Sequence, residues 1–361
     1  MNRSSLIPVL LILSVWTNAR AQDPPPPEKS RVDARYSLSI IDDATFYGNR
    51  SEPVPEVLNQ VLVEPSFSLR SNDHLTFSSS MIGLAGTYSD NYTQLRVKET
   101  YADLSAGDFD FTLGRKMVRW GTGYAFSAAG VLDPPRIPTD PTDRLNLNEG
   151  RDMIKADWVH GPHAFSLAWS TAALAPAQAN LRDTTAFRYN VLVRGFDTSL
   201  IAGNDRGGDS FGGLTFTRVF GQAWELHGEA AWREQGAILM GAKYTTAWGI
   251  SFVGEFYTPP NTAYYRDSTI SPSAGRQHYA FLYAGKSRLR ELPGWKQWDL
   301  SASMVENLND NSYIVIADAN RRFGNHFSSY LHLQVPQGNK SSDYGATPYS
   351  AATSVGVRFQ L

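Results

Sequence analysis

Glu225, His227, Glu229 and Arg233 lie in the stretch AWELHGEAAWRE, residues 223–234, with only even steps between them. Two carboxylates, an imidazole and a guanidinium in one row could relay protons, hold an ion or set a field across a passage. Their spacing narrows the choice. A strand repeats every two residues, so it collects all four on one face and leaves Trp224, Leu226, Ala230 and Trp232 on the other. A helix would scatter them. The row therefore belongs to a two-faced strand with charge along one side.

Residues for bond-making chemistry are not patterned in this way. Seven histidines without a cysteine give no metal-ligand spacing. There is no H-E-x-x-H string, phosphate loop or dinucleotide fingerprint. Asn-His-Phe-Ser-Ser, 325–329, puts His326 and Ser328 one pleat apart but lacks a glycine-bearing nucleophile turn. No catalytic, cofactor-binding or metal-binding residue is expected, and the chain does not read as an enzyme. The second concentration of charge is the segment 121–151. It carries Asp133, Asp140, Asp143 and Glu149 with Arg136, Arg144 and Arg151, stiffened by Pro134, Pro135, Pro138 and Pro141. Links of this length are usually functional or disordered, and proline makes a fixed conformation easier to reach. Folded into a lumen, such a loop would filter solutes by size and charge. Lying outside, it would be a lid or surface epitope.

The elements that must position these charges follow from the rest of the chain. MNRSSLIPVLLILSVWTNARAQ has a basic start, a short apolar stretch and an Ala-x-Ala end, which predicts a signal peptide over 1–21. A proline-rich lead-in is expected over 22–33. Loss of Arg3 and Arg20 leaves 31 basic and 35 acidic residues, a balance that argues against a nucleic-acid partner. From Tyr36 onward, segments of about ten residues alternate. Phe109, Phe111 and Leu113 oppose Asp110, Thr112 and Lys116; Leu300, Ala302 and Met304 oppose Asp299, Ser301 and Ser303. Short connections (71–73, 106–108, 160–163, 220–222, 247–249, 323–325) interleave with longer ones (121–151, 173–184, 259–276, 336–350). Even strand number, alternating turn length and apolar-out, polar-in faces are the signature of transmembrane barrels. The expectation is an all-β, antiparallel, up-and-down transmembrane barrel over 34–361, with 16–18 strands and eighteen preferred. Leu226 is then expected to face lipid near mid-membrane.

Two stretches carry a resemblance. VKETYADLSAGDFDFTLGRKMVRWGTGYAFSAAGVLDPP, 97–135, joins an acidic-x-Tyr strand to Gly-Arg-Lys and Trp-Gly. It resembles a poorly characterised group of porin-like outer-membrane barrels, with the alginate-export barrels more distant in style. The final strand, AATSVGVRFQL, resembles the C-terminal signal read by the barrel-assembly machinery, although it ends in Leu361. The resemblance implies a bacterial outer-membrane location, contact with lipid and lipopolysaccharide, and passive diffusion of small hydrophilic solutes. Homo-oligomers are compatible with it. The alternatives are a non-conducting barrel that binds or anchors surface polysaccharide and, last, an outer-membrane hydrolase. Pore-lining or constriction residues are expected at Arg115, Lys116, Asp133, Arg136, Asp140, Asp143, Arg144, Glu225, His227, Glu229, Arg233 and Lys243. Glu99 and Arg115 are expected either to pair across adjacent strands or to hold the following loop.

Overall fold

The computed structural model describes residues 32–51, 53–71, 74–87, 91–171, 183–205, 209–233, 235–259, 277–289 and 294–361. The expected signal peptide and the expected lead-in as far as residue 31 lie outside the described residues, as do most of the links 173–184 and 259–276, while 32–33, expected as lead-in, open the first strand. The elements are β1 (Val32–Gly48), β2 (Val57–Ser71), β3 (Leu75–Thr87), β4 (Asn91–Ala106), β5 (Phe109–Lys116) and β6 (Arg151–His160). They continue with β7 (His163–Thr171), β8 (Thr184–Val193), β9 (Phe196–Asp205), β10 (Ser210–Phe220), β11 (Trp224–Trp232) and β12 (Gly236–Thr245). The last six are β13 (Ser251–Thr258), β14 (Tyr279–Lys286), β15 (Trp298–Asn307), β16 (Ser312–Phe323), β17 (Phe327–Gln337) and β18 (Ala351–Gln360).

Each strand pairs antiparallel with its sequence neighbours, and β1 closes on β18 from Ser39 opposite Gln360 to Gly48 opposite Ala351. The result is one closed eighteen-stranded barrel, the architecture expected from the alternation. Two boundaries differ. The first strand begins at Val32, and the long link runs over 117–150 because pairing stops at Lys116 and resumes at Arg151. Strands β1 to β4 have 13 to 17 residues and are longer than the ten expected. The tight turns expected from the sequence lie at one end, where Gly221 and Gly324 take left-handed φ values of 59° and 71°, a conformation that favours glycine; the links 88–90 and 233–235 at the other end are as short. One connection at the tight-turn end, 287–297, is longer than the others there.

A closed wall satisfies its backbone without an edge, so its side chains are free to sort by environment. On β11, Trp224, Leu226 and Trp232 are exposed outward while His227, Glu229 and Ala231 are buried inside. Leu113 and Met240, 62% and 59% exposed, show the same outward apolar surface elsewhere. Trp224 lies beside Tyr244 with ring centres 4.6 Å apart, near the short-turn end, where interfacial aromatics are favoured. Leu226 is at that level too, because it sits opposite Arg218 on β10. It therefore lies two positions nearer the short turns than the middle of its strand. Met240, opposite Gly228 and Phe256 at the middle of β12, is the mid-depth position. Met240→Arg is expected to cost ~2–4 kcal/mol of barrel stability and Leu226→Arg less. Denaturant unfolding in lipid vesicles measures both; equal costs would contradict the depth assignment.

Candidate functional site

The lumen is crossed by the 117–150 segment, and its hold on the wall begins at its root. Arg115 Nε and Nη2 donate to both carboxylate oxygens of Asp152 on β6, at 3.0 and 2.8 Å, and Nη1 donates to the Val97 carbonyl. Glu99 takes the loop-holding role: it accepts the Met117 N–H at 2.7 Å, because the segment leaves β5 immediately after Lys116 and needs a partner for its first free amide. Lys116 pairs with Asp103 at 2.6 Å and lies 4.5 Å from the centre of the Tyr101 ring. Trp120 is buried, and its N–H reaches Asp133 at 2.6 Å.

The second hold is on β11 to β13. Glu229 Oε1 accepts the N–H groups of Thr122 and Gly123, at 2.5 and 2.8 Å. Its Oε2 accepts those of Ala128 and Ala129, at 2.6 and 2.7 Å, and the Ser127 hydroxyl at 3.2 Å. Glu255 takes the next two, Tyr124 N–H at 2.5 Å and Ala125 N–H at 2.9 Å, and the Nε2–H of His227 at 2.9 Å. Thus two wall carboxylates account for six consecutive or near-consecutive backbone donors that no strand could pair. Hydrogen bonds to a charged acceptor contribute ~1.5–3 kcal/mol each. Close approach is what makes this possible. A side chain at Gly121 would meet Ser127 Oγ at 2.1 Å and Glu229 Oε1 at 2.9 Å, and one at Gly241 would meet His227 Nε2 at 2.2 Å. Phe126 then stacks on Tyr257, ring centres 4.8 Å apart, within an apolar cluster containing Ala129, Leu132, Leu239 and Phe281.

The third hold is on β17, β18 and β1. Arg144 Nη1 donates to Asp43 of β1 at 2.7 Å, and Tyr330 of β17 donates its hydroxyl to the same oxygen at 2.6 Å. Arg358 of β18 donates to the Arg144 carbonyl, and Gln334 Nε2 to that of Thr139 at 2.7 Å. Leu145 and Leu147 pack there against Ile41, Leu62, Ile82 and Leu84. The three holds centre on β5, β12 and β18, which lie seven, six and five strands apart around the wall. The loop is suspended across the barrel from three sides.

The remaining expected site residues take other places in this arrangement. Glu225 accepts the Tyr124 hydroxyl at 3.0 Å, and Lys243 donates to that hydroxyl at 3.2 Å. Arg233 is buried and pairs with Asp205 at 2.5 Å beside the Phe211 ring. Asp140 pairs with Arg144 at 3.4 Å, and Asp143 occupies a turn with φ of 46°. His227 and Glu229, expected to line the pore, are 1% and 3% exposed, covered by the loop. Glu255 and Asp43 are wall anchors that the twelve expected residues did not include. Alternation alone points Asp43 inward with Ile41 and Thr45, but nothing local names a partner in the loop.

Asp133 is the carboxyl of the loop raised to about 6, and burial raises Asp140 as well. Asp133 accepts the Trp120 and Gly121 N–H groups and Arg136, at 2.6, 3.1 and 3.4 Å. Burial raises its carboxyl to about 6 against the pull of those donors, and nearby Glu229 adds to the rise. A carboxyl raised on folding stabilises the docked loop below its unfolded value and loses that contribution as pH rises toward 6. Between about pH 4 and 6, protease protection of the loop is therefore expected to fall more steeply with rising pH in the native chain than in Asp133→Asn. Parallel profiles would remove Asp133 from that role.

On the short-turn side of the loop is a cavity of about 480 Å³. Its boundary includes Tyr124, Pro141, Thr142 and Arg144 from the loop. Lys243, Lys286, Asp299, Asp318, Asn320 and Arg358 line it from the wall. Both charge signs therefore face one space, with Asp299 held by Arg322 at 2.5 Å and Asp318 by His332 at 2.6 Å.

No protein-family model matches the sequence, and none of the curated proteins does. Solved structures do match in shape. OpdL of Pseudomonas aeruginosa superposes with a TM-score of 0.62 at 10% identity, covering 91% of this chain and 99% of that one. The P. aeruginosa outer membrane protein OpdK gives 0.61 at 10%, covering 91% and 98%. Wzi of Escherichia coli, an outer membrane protein involved in group 1 capsule assembly and described as a carbohydrate-binding β-barrel, gives 0.60 at 9%, covering 90% and 84%. At these identities the likeness is one of fold: the chain has the closed antiparallel barrel of porin-like outer-membrane proteins.

Proposed function

We propose that the protein is a porin-like channel of the bacterial outer membrane, with the short turns in the periplasm, that admits small hydrophilic solutes by passive diffusion. The observation that carries this reading is the cavity beneath the loop, where Arg144, Lys243, Lys286 and Arg358 face Asp299 and Asp318 across one space that Val253, Phe281 and Leu300 also border. Opposed charges favour small polar solutes over apolar ones, and the outward apolar surface places the wall in lipid. The loop is the selective element: solutes pass its margins, screened by Tyr124, Lys243 and Arg144. Lipopolysaccharide and the barrel-assembly machinery are the partners this placement calls for.

Single-channel recording in planar bilayers tests the reading. Discrete conductance steps from the native barrel are expected. A barrel that is silent both intact and after loop excision would overturn it. The three-sided suspension of the loop favours a second reading, a plugged barrel whose outer surface binds polysaccharide. Silence together with retention of polysaccharide on the purified barrel would establish that alternative.

A further inference from the structure

Two arginines stand on the outward face of the wall. Arg218 of β10 is directly opposite Phe196 of β9, its guanidinium 4.3 Å from that ring's centre and 4.5 Å from the Phe220 ring. Arg321 of β16 repeats the arrangement six strands away. It is opposite Trp298 of β15, 5.6 Å from its ring, and 4.8 Å from the Phe323 ring. Both belong to one short pattern, Arg-x-Phe-Gly-(Gln/Asn), at 218–222 and 321–325. The pattern ends a strand at the short-turn end in each case, so both cations lie at the edge of the apolar surface. Among the described residues neither guanidinium has a carboxylate or a hydrogen-bond acceptor as partner.

A cation on a lipid-facing wall is tolerated near the headgroups and not at mid-depth. Stacking on rings engages the flat face of the guanidinium and holds it in place. The in-plane N–H donors are then free for an acceptor that presents two oxygens, and a phosphodiester does so. With no acidic side chain to neutralise the arginine, a lipid carrying net negative charge satisfies the site better than a zwitterionic one, whose ammonium would bring a second positive charge. We propose that Arg218 and Arg321 form two headgroup sites for anionic phospholipid in the leaflet nearest the short turns. The proposal rests on the membrane placement made above and is independent of whether the lumen conducts.

The test is native mass spectrometry of the full barrel in uncharged detergent, mixed with equal amounts of phosphatidylglycerol and phosphatidylcholine. The native chain is expected to retain phosphatidylglycerol preferentially, up to one molecule per arginine site. R218Q and R321Q should each lose one, and R218Q/R321Q both; R218K/R321K should weaken retention without abolishing it. The single variants are read separately, so poor folding of the double variant leaves the result intact. No preference in the native chain, or the same preference in R218Q/R321Q, would overturn the proposal. Displacement of the lipid by inorganic phosphate would show a free-anion site and overturn it equally. A barrel that fails to enter vesicles at all would instead overturn the membrane placement.

Discussion

Glu229→Ala is expected to free the 117–150 segment from the β11–β13 wall while leaving the barrel closed. In the native chain this carboxylate accepts four backbone N–H groups and the Ser127 hydroxyl from a site only 3% exposed. Removing it strands those donors, at ~1–3 kcal/mol for each one that water cannot reach. If the net loss is ~3 kcal/mol, the population of undocked loop rises on the order of a hundredfold. The wall strands keep their ladders, since Glu229 contributes to them only through its backbone opposite Thr215 and Leu239. Proteolysis of the folded barrel reads the change, because cleavage of a loop tracks its open population. Glu229→Gln, which retains one acceptor oxygen, should fall between. Cleavage rates equal to native in both variants would show that the other two holds suffice.

Replacing residues 126–146 by a short Gly/Ser linker is the larger intervention, and it is expected to raise single-channel conductance severalfold with the barrel assembled. The excised stretch carries Phe126, Leu132, Arg144 and Leu145, so the second hold is cut back and the third is removed. Leu239, Phe281 and Ile316 would then face water from the inside of the wall, having been fully buried. Exposing them costs ~25 cal/mol per Å² of apolar surface, so the variant should also unfold at lower denaturant. A wider passage and a weaker barrel are thus expected together. Unchanged conductance would mean that solutes do not pass the loop.

The two-residue period made the wall legible from sequence. Phe109, Phe111 and Leu113 face outward and Thr112 is buried, as alternation required. The loop's role was partly legible: proline, charge and the adjoining Trp-Gly singled out the segment. Its anchors were not. Glu229 reads as one charge among several on a wet strand, because its partners are backbone amides 100 to 107 positions away. Asp43 is separated from Arg144 by 101 positions and from Tyr330 by 287. A strand pattern reports which face a side chain takes. It carries no information about what arrives to cover that face.

The third hold has a bearing on how such a wall could change over generations. Among the described strands, β1 and β18 are the only neighbours not joined by a stretch of chain, so theirs is the seam along which the cylinder would unzip. Arg144 lies across it, binding Asp43 on one strand through its side chain and receiving Arg358 from the other at its carbonyl. The same residue borders the cavity. It is therefore both a clasp on the seam and part of the sieve. A lineage drifting toward larger cargo by trimming this residue would loosen its own closure, whereas trimming Tyr124 or Lys243 would widen the opening with the zip still fastened.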